Sequence, residues 1–284
     1  MKVLVLGKAK TGTTLLTKTI QKNISKAKLI QEPKSYDKLL NHKYIDSNYL
    51  VCKIIFEHWK NEKKILSNIV TNKNIIKFDK IVAVVRDPRD EFISRLCYFS
   101  KPYFQRNGFD SQTLKLWVDC VREKEKHPAT KTVIQLVSEM NEIFNINFFK
   151  HIRIVNSFFQ FENNHSSYIH TIKYEDLVDN KLEEIEKHLT FKLHNKDTTS
   201  NVIQLTLRSG SYNNWKEFFT TTDLRFLKSY FKKNLYYDLD EWDLDRKLEL
   251  DSKFYSQYIE RISTPKDSKM NKAIKSYLSK ILNE

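Results

Sequence analysis

The apolar run Val3-Leu4-Val5-Leu6 halts at Gly7. A loop rich in cations and hydroxyls, Lys8-Ala9-Lys10-Thr11-Gly12-Thr13-Thr14, then leads straight into helical sequence. A β-branched and leucine run that stops on glycine reads as a buried strand. A loop that leaves such a strand and enters a helix turns backbone N–H groups toward one point, where an oxyanion is stabilised. Gly12 lets the backbone come close, and Thr13 and Thr14 add hydroxyls. The alternative is a plain strand–turn–helix with no ligand. In both cases the chain opens with β-α, and the helix is expected over 13–25.

The same alternation continues. Lys28–Gln31 reads as a second strand, ended by Glu32-Pro33, 49–56 as a third, and Ile81-Val82-Ala83-Val84-Val85 as the clearest of all. Asp87 then supplies an N-cap, Pro88 the first helical position, and Asp90 and Glu91 an acidic first turn, which predicts a helix to about Phe99. Amphipathic stretches at 111–126 and 131–149 predict two more helices. A strand is expected at 167–174, a short helix at 182–189 and another helix at 222–234. Strands alternating with helices imply right-handed crossovers and a mostly parallel sheet covered on both faces. The expected architecture is therefore α/β, a single domain over 1–245 with a central sheet flanked by helices. A C-terminal helical extension is expected over 246–284. There Ile274, Leu278 and Ile281 recur at helical spacing, and a helix docked on the body is preferred to one lying on a membrane surface.

Composition bears on the partners. The 284 residues carry 49 Lys+Arg against 35 Asp+Glu, a formal charge of +14, which favours an anionic ligand or surface. Lys, Asn and Ile are abundant throughout, so most surplus lysines are expected to be solvated surface, and nucleic-acid binding is not expected from charge alone. No apolar run approaches the roughly 18 residues that span a bilayer, and the N-terminal apolar stretch is too short for a signal peptide. A cytoplasmic chain without a transmembrane segment is the expectation. Three cysteines without close spacing and eight scattered histidines give no basis for a disulfide framework or a metal site.

Three further segments carry candidate chemistry. Arg86-Asp87-Pro88-Arg89-Asp90-Glu91-Phe92-Ile93-Ser94 follows the strand at 81–85. Arg86 falls at the C-terminal edge of that strand, where open α/β sheets bind ligands. Ser94 lies about 10 Å along the helix from Asp87, a gap that an arginine side chain can bridge, so both can grip one phosphate. Arg208-Ser209-Gly210-Ser211-Tyr212-Asn213-Asn214-Trp215-Lys216 forms a polar turn, with Trp215 read as a core anchor. Lys173-Tyr174-Glu175-Asp176-Leu177 ends the late strand.

Together these segments resemble sulfotransferases that use 3′-phosphoadenosine 5′-phosphosulfate (PAPS), whose fold is P-loop-NTPase-like. Gly7 and Gly12 have the separation of a Walker A loop, but Thr13 stands where its lysine belongs. The order Lys10-Thr11-Gly12-Thr13-Thr14 is similar instead to the K-[ST]-G-T-T loop of that family. The resemblance implies that this loop holds the 5′-phosphosulfate, with Lys10 neutralising the oxygen that bridges phosphorus and sulfur. It implies Arg86, Ser94, Arg208 and Gly210 as 3′-phosphate contacts and Tyr174 as an adenine contact. Leu15 replaces the tryptophan that many members carry after the threonines, and Asn213-Asn214 replaces a Gly-Asp pair. Asn tolerates positive φ, so the turn can survive that change. The motifs lie in family order from residue 7 to 216, and the resemblance extends over about the first 240 residues.

The resemblance further implies PAPS as donor, adenosine 3′,5′-bisphosphate as product and no metal. The expected acceptor is a hydroxyl of a small molecule or glycan; sugar, lipid, phenol and peptide hydroxyls stay open, and the Glu-Pro favours a carbohydrate-like alcohol. The histidine base of cytosolic members is absent, because Ile55 occupies its place two residues after Lys53. Glu32, in a Glu-Pro similar to that of carbohydrate-type members, is the expected base, Lys53 an assistant, and Glu57 and His58 the runners-up. Competing readings are a P-loop nucleotide kinase, which the missing Walker lysine opposes, and a non-catalytic basic module for nucleotides or nucleic acid. The oligomeric state is not legible.

Overall fold

The computed structural model describes residues 1–194, 208–231 and 235–265, without the side chains of 150–156. The first half alternates strictly. Strand β1 (Lys2–Gly7) leads to α1 (Thr13–Asn23), β2 (Lys28–Gln31) to α2 (Tyr36–Leu40), and β3 (Leu50–Ile55) through the 3-10 turn Phe56–Trp59 to α3 (Lys63–Val70). Strand β4 (Lys80–Val85) leads to α4 (Pro88–Tyr98) and α5 (Ser100–Asn107). Helices α6 (Ser111–Lys126), α7 (Val133–Phe144) and α8 (Phe148–Asn163) precede β5 (His170–Lys173), α9 (Tyr174–Val178) and α10 (Glu183–Leu189). Short helices at Trp215–Phe218, Thr221–Leu227 and Ser256–Ser263 complete the described chain.

The described strands form one parallel five-stranded sheet in the order β2-β3-β1-β4-β5. Strands β1, β3 and β4 are buried on both faces, as their near-continuous apolar sequence requires. Side chains alternate across β1: Val3 and Val5 pack with Leu16, Ile20 and Ile172, whereas Leu4 and Leu6 pack with Trp59, Leu66 and Phe158. A third cluster lies beyond the sheet, where α4 meets α6, α7 and the helix Ser256–Ser263. Phe92 is its hub, with edge-on contacts to Phe148, Phe219 and Phe231 at 5.4, 6.0 and 6.2 Å.

The expected α/β class with a parallel sheet is what the chain adopts. Local differences have identifiable causes. The helix expected over 131–149 stops at Asn145, which takes a left-handed φ of 48° as the C-cap of α7. An unexpected helix, α8, restarts at Phe148; the apolar residues Ile143, Phe144, Ile146, Phe148 and Phe149 on both sides of Asn145 hide the stop. Helices α2 and α5 were also not expected. The strand expected over 167–174 is confined to His170–Lys173 because Tyr174 already begins α9. Of the helix expected at 222–234, only Thr221–Leu227 forms within the described residues, and 232–234 lie outside them. Leu250, Tyr255, Tyr258, Ile259 and Ile262 pack in the Phe92 cluster, so this part of the 246–284 segment shares the body's core. The pattern at Ile274, Leu278 and Ile281 lies outside the described residues. No helix among the described residues is long and apolar enough to cross a membrane.

Phe92→Ala is expected to lower unfolding free energy by about 3–5 kcal/mol, read as a reduced urea midpoint with unchanged slope. A loss below about 1 kcal/mol would mean that the third cluster does not hold α4 in place.

Candidate functional site

The loop after β1 is tied down by a buried charge network. Lys8 Nζ lies 2.5 Å from Glu91 Oε2, Arg95 Nε donates to Glu91 Oε1 at 2.7 Å, and Arg95 also pairs with Glu57. Glu57 in turn accepts from the Ala9 N–H at 3.2 Å. Two cations and two carboxylates thus balance one another beneath the loop. Burial alone would raise the Glu91 carboxyl, but the charges of Lys8 and Arg95 outweigh it and hold that carboxyl below its usual range. Lys8 is fully buried and Glu91 is 0 % exposed, so neither is available to a ligand. Sequence reading missed this network, although Glu91 and Arg95 stand at i and i+4 on one helix face. It also explains Glu57 as a brace.

Two residues on, the loop turns the other way. Lys10 has φ 72° and Gly12 φ 92°. A Cβ on Gly12 would sit 2.5 Å from the Tyr174 ring, so the position demands glycine on two counts. Gly12 is also the N-cap of α1. It brings no side-chain cap, and the first turn of α1 holds no acid. The first-turn N–H groups and positive end of the helix therefore face the loop, as an anion site requires. By contrast α4 and α6 are capped by Asp87 and Asp110, and α7 by Thr132.

The basic side chains named from sequence converge here. Arg86, at the end of β4, donates to Lys10 O at 3.3 Å and to Ser211 O at 3.2 Å, and lies 4.3 Å over the Tyr174 ring. Arg208 donates to Phe254 O at 3.5 Å and lies 5.0 Å from the Tyr255 ring. Both arginines are buried; among the described residues neither is ion-paired, and Arg86 Nε and Arg208 Nε and Nη2 have no hydrogen-bond partner there. Buried, partnerless guanidinium nitrogens cost free energy unless an acceptor reaches them, and a phosphate supplies such acceptors. The residues present therefore fit a phosphorylated ligand.

The Lys10 amine lies 4.1 Å over the Tyr98 ring and donates to Tyr258 Oη at 3.1 Å. Burial, then the charges of Arg86 and Arg208, push its pKa down to about 7. Asp90 accepts from the Asn213 and Trp215 N–H groups at 2.6 and 3.2 Å, which locks the 208–216 turn onto α4. Asn213 adopts φ 61°, so the turn survives without glycine there, and Gly210 has φ 69°. Ser94 is buried one turn along α4 from Asp90, on the same face. Trp215 is buried under Arg89 at 3.8 Å and is the core anchor expected. Tyr174 is buried, its ring held between Gly12 and Arg86, which makes it a support for both.

A second constellation forms at the ends of β2 and β3. Lys53 Nζ donates to Glu32 Oε1 and to Thr14 Oγ1, each at 2.6 Å. Glu32 has φ 55°, an uncommon backbone for glutamate, and its carboxylate remains partly exposed while Lys53 is buried. The charge of Glu32 reaches Tyr98, which also flanks Lys10, so the two constellations are neighbours. His58 is exposed and Ile55 is buried. Thr11 Oγ1 donates to Lys8 O at 2.9 Å, and Thr13 is buried at the start of α1. A cavity of about 470 Å³ lies elsewhere, against Phe231, Tyr236, Tyr237 and Leu239, and none of these basic side chains lines it.

The Lys10 amine titrates near 7 in the fold but at its ordinary 10.5 when exposed. Between those values the unfolded chain binds more protons, so this group's contribution makes stability rise with pH across that window. Lys10→Met is therefore expected to melt above wild type at pH 7, with the gap narrowing as pH rises and closing only above about pH 11, where both states are neutral. Calorimetric melting without ligand checks this; a lower melting point at pH 7 contradicts it.

A family model described as "Sulfotransferase domain" matches residues 1–204, well over half of the chain. A solved structure of mouse sulfotransferase SULT7A1 complexed with PAP is similar over 80% of this chain and 82% of that chain, at 16% identity and a TM-score of 0.49. No match was found among curated proteins. The chain belongs to the sulfotransferase family: it is an enzyme of the class that transfers a sulfuryl group from PAPS.

Proposed function

We propose that Lys10, Thr11, Gly12, Thr13 and Thr14 hold the 5′ side of the donor, that Arg86, Ser94, Arg208 and Gly210 hold its 3′-phosphate, and that the acceptor is an alcohol hydroxyl of carbohydrate type. The observation that carries the donor half is the convergence of Lys10, Arg86 and Arg208, with buried guanidinium nitrogens left for an acceptor. Gly12 and the uncapped start of α1 contribute backbone N–H groups. Tyr174 serves by fixing Arg86 and Gly12. When bound, PAPS supplies the sulfuryl group and departs as adenosine 3′,5′-bisphosphate.

The chain's own work is electrostatic and positional. Lys10, protonated, offsets the charge that grows on the leaving phosphate; burial, and then two cations nearby, keep its amine close to its titration point, so an arriving anion draws the proton on. Glu32 takes the proton from the acceptor hydroxyl as general base. Lys53 orients the Glu32 carboxylate, and through Thr14 it ties base and donor loop into one unit. The carbohydrate preference rests on Glu32 filling the base's place while Ile55 replaces the histidine. The unit is a single domain over 1–245 with the 246–284 segment contributing to the same body.

Titration calorimetry with adenosine 3′,5′-bisphosphate beside Mg-ATP tests the donor half. The bisphosphate is expected to bind selectively, and Arg86→Ala to weaken it about 10- to 100-fold. Preference for Mg-ATP would favour a nucleotide kinase, and steeply salt-dependent binding to DNA or RNA a nucleic-acid module. For the acceptor half, labelled-sulfate transfer is screened against sugar, phenol, lipid and peptide hydroxyls. Glu32→Gln is expected to lower kcat about 10²–10⁴-fold while leaving bisphosphate affinity unchanged; wild-type turnover in that variant rejects Glu32 as base.

A further inference from the structure

The helix Ser256–Ser263 lies beyond residues 1–204, yet it reaches the cations of the site. Lys10 Nζ donates to Tyr258 Oη at 3.1 Å, while the Tyr98 ring covers the same amine at 4.1 Å. Just before this helix, Phe254 O accepts from Arg208 and the Tyr255 ring flanks its guanidinium. Resting on the donor-site reading above, we propose that Tyr258 is a positioning residue for sulfuryl transfer, its phenol oxygen fixing the Lys10 amine toward the donor's 5′ side.

Four observations carry this. First, the helix is anchored independently of Lys10. Ser256 donates from its N–H and its hydroxyl to Glu125 at 2.6 and 2.9 Å, the Ser100 and Ser263 hydroxyls meet at 2.7 Å, and Arg122 pairs with Glu260 at 2.9 Å. Tyr258 is thus presented by a fixed wall and is itself 0 % exposed. Second, lysine is a flexible chain with a compact charge, so holding it in one place loses conformational entropy that a prearranged acceptor offsets. Third, among the described residues the cations that act most strongly on the amine are Arg86 from the end of β4, Arg208 from its turn and Lys101 from α5. From α4 come Cys97 and Tyr98, the thiol raised by burial, as is the phenol of Tyr258. The Tyr258 oxygen is therefore a neutral acceptor among positive neighbours, and it favours the protonated amine. Fourth, the strained φ of Lys10 fixes the direction in which its side chain leaves the loop.

The test is titration calorimetry of the full chain with adenosine 3′,5′-bisphosphate between pH 6 and 9, in buffers of contrasting ionisation enthalpy. It reads affinity and the protons taken up on binding. Wild type is expected to take up a proton above pH 7, as the anion charges Lys10. Tyr258→Phe keeps the ring and removes only the phenol oxygen. Its proton-uptake midpoint is expected about one unit lower, with affinity at pH 8 reduced about tenfold. Ser263→Ala loosens the same helix without touching Lys10; it is expected to lower the melting point and leave the midpoint at the wild-type value. An unmoved midpoint in Tyr258→Phe overturns the inference while the donor site stands. Tighter binding in Tyr258→Phe overturns it too, because the helix would then compete with the ligand. Failure of wild type to bind the bisphosphate at any pH overturns the donor reading itself.

Discussion

Three cations share the C-terminal edge of two adjacent strands, and the rest of the site is arranged around their repulsion. Lys10 and Arg86 leave β1 and β4 at neighbouring points, and Arg208 is brought to them by a turn locked on Asp90. The fold holds the two arginines with backbone carbonyls and aromatic faces rather than by pairing them with carboxylates. Carbonyls and rings orient a guanidinium without neutralising it. The result is a fixed positive field in a poorly solvated place, which is where preorganised charge does most for a developing anion. The depressed Lys10 pKa is the cost of that arrangement, carried by the ligand-free chain.

Lys8 shows the opposite solution two residues away. It too is buried, but two carboxylates and Arg95 close a balanced network around it, and Glu57 extends that network to the Ala9 backbone. One lysine of the loop is thereby spent on shape and the other is kept for charge. Removing a single member of such a buried network leaves an uncompensated charge, whereas a surface pair would be worth little.

Much of this was legible in the sequence. The β1 loop, Arg86 and the Arg208 turn could be read because each sits at a strand end or on a glycine whose backbone geometry is restricted, and Ser94 because of its helical spacing from Asp87. The parallel sheet was legible because three strands are apolar on both faces. What escaped depends on contacts between distant segments. Nothing local distinguishes Lys8 from Lys10, since it is the distant Glu91 on α4 that takes Lys8 into the buried network. Tyr258 lies 248 residues from Lys10 and carries no motif. The break at Asn145 was invisible because apolar residues continue on both sides of it, and a left-handed asparagine leaves no trace in hydrophobic periodicity. Glu57 drew attention as a base because it follows β3, yet its carboxylate is engaged by Arg95 and Ala9.

The most direct measurement is a crystal structure of the chain with adenosine 3′,5′-bisphosphate bound. The account predicts the 3′-phosphate within hydrogen-bond distance of Arg86 Nε and the Arg208 guanidinium, and the 5′-phosphate against Lys10 Nζ and the start of α1. A bisphosphate seated elsewhere, with Arg86 and Arg208 still turned to backbone carbonyls alone, would contradict it.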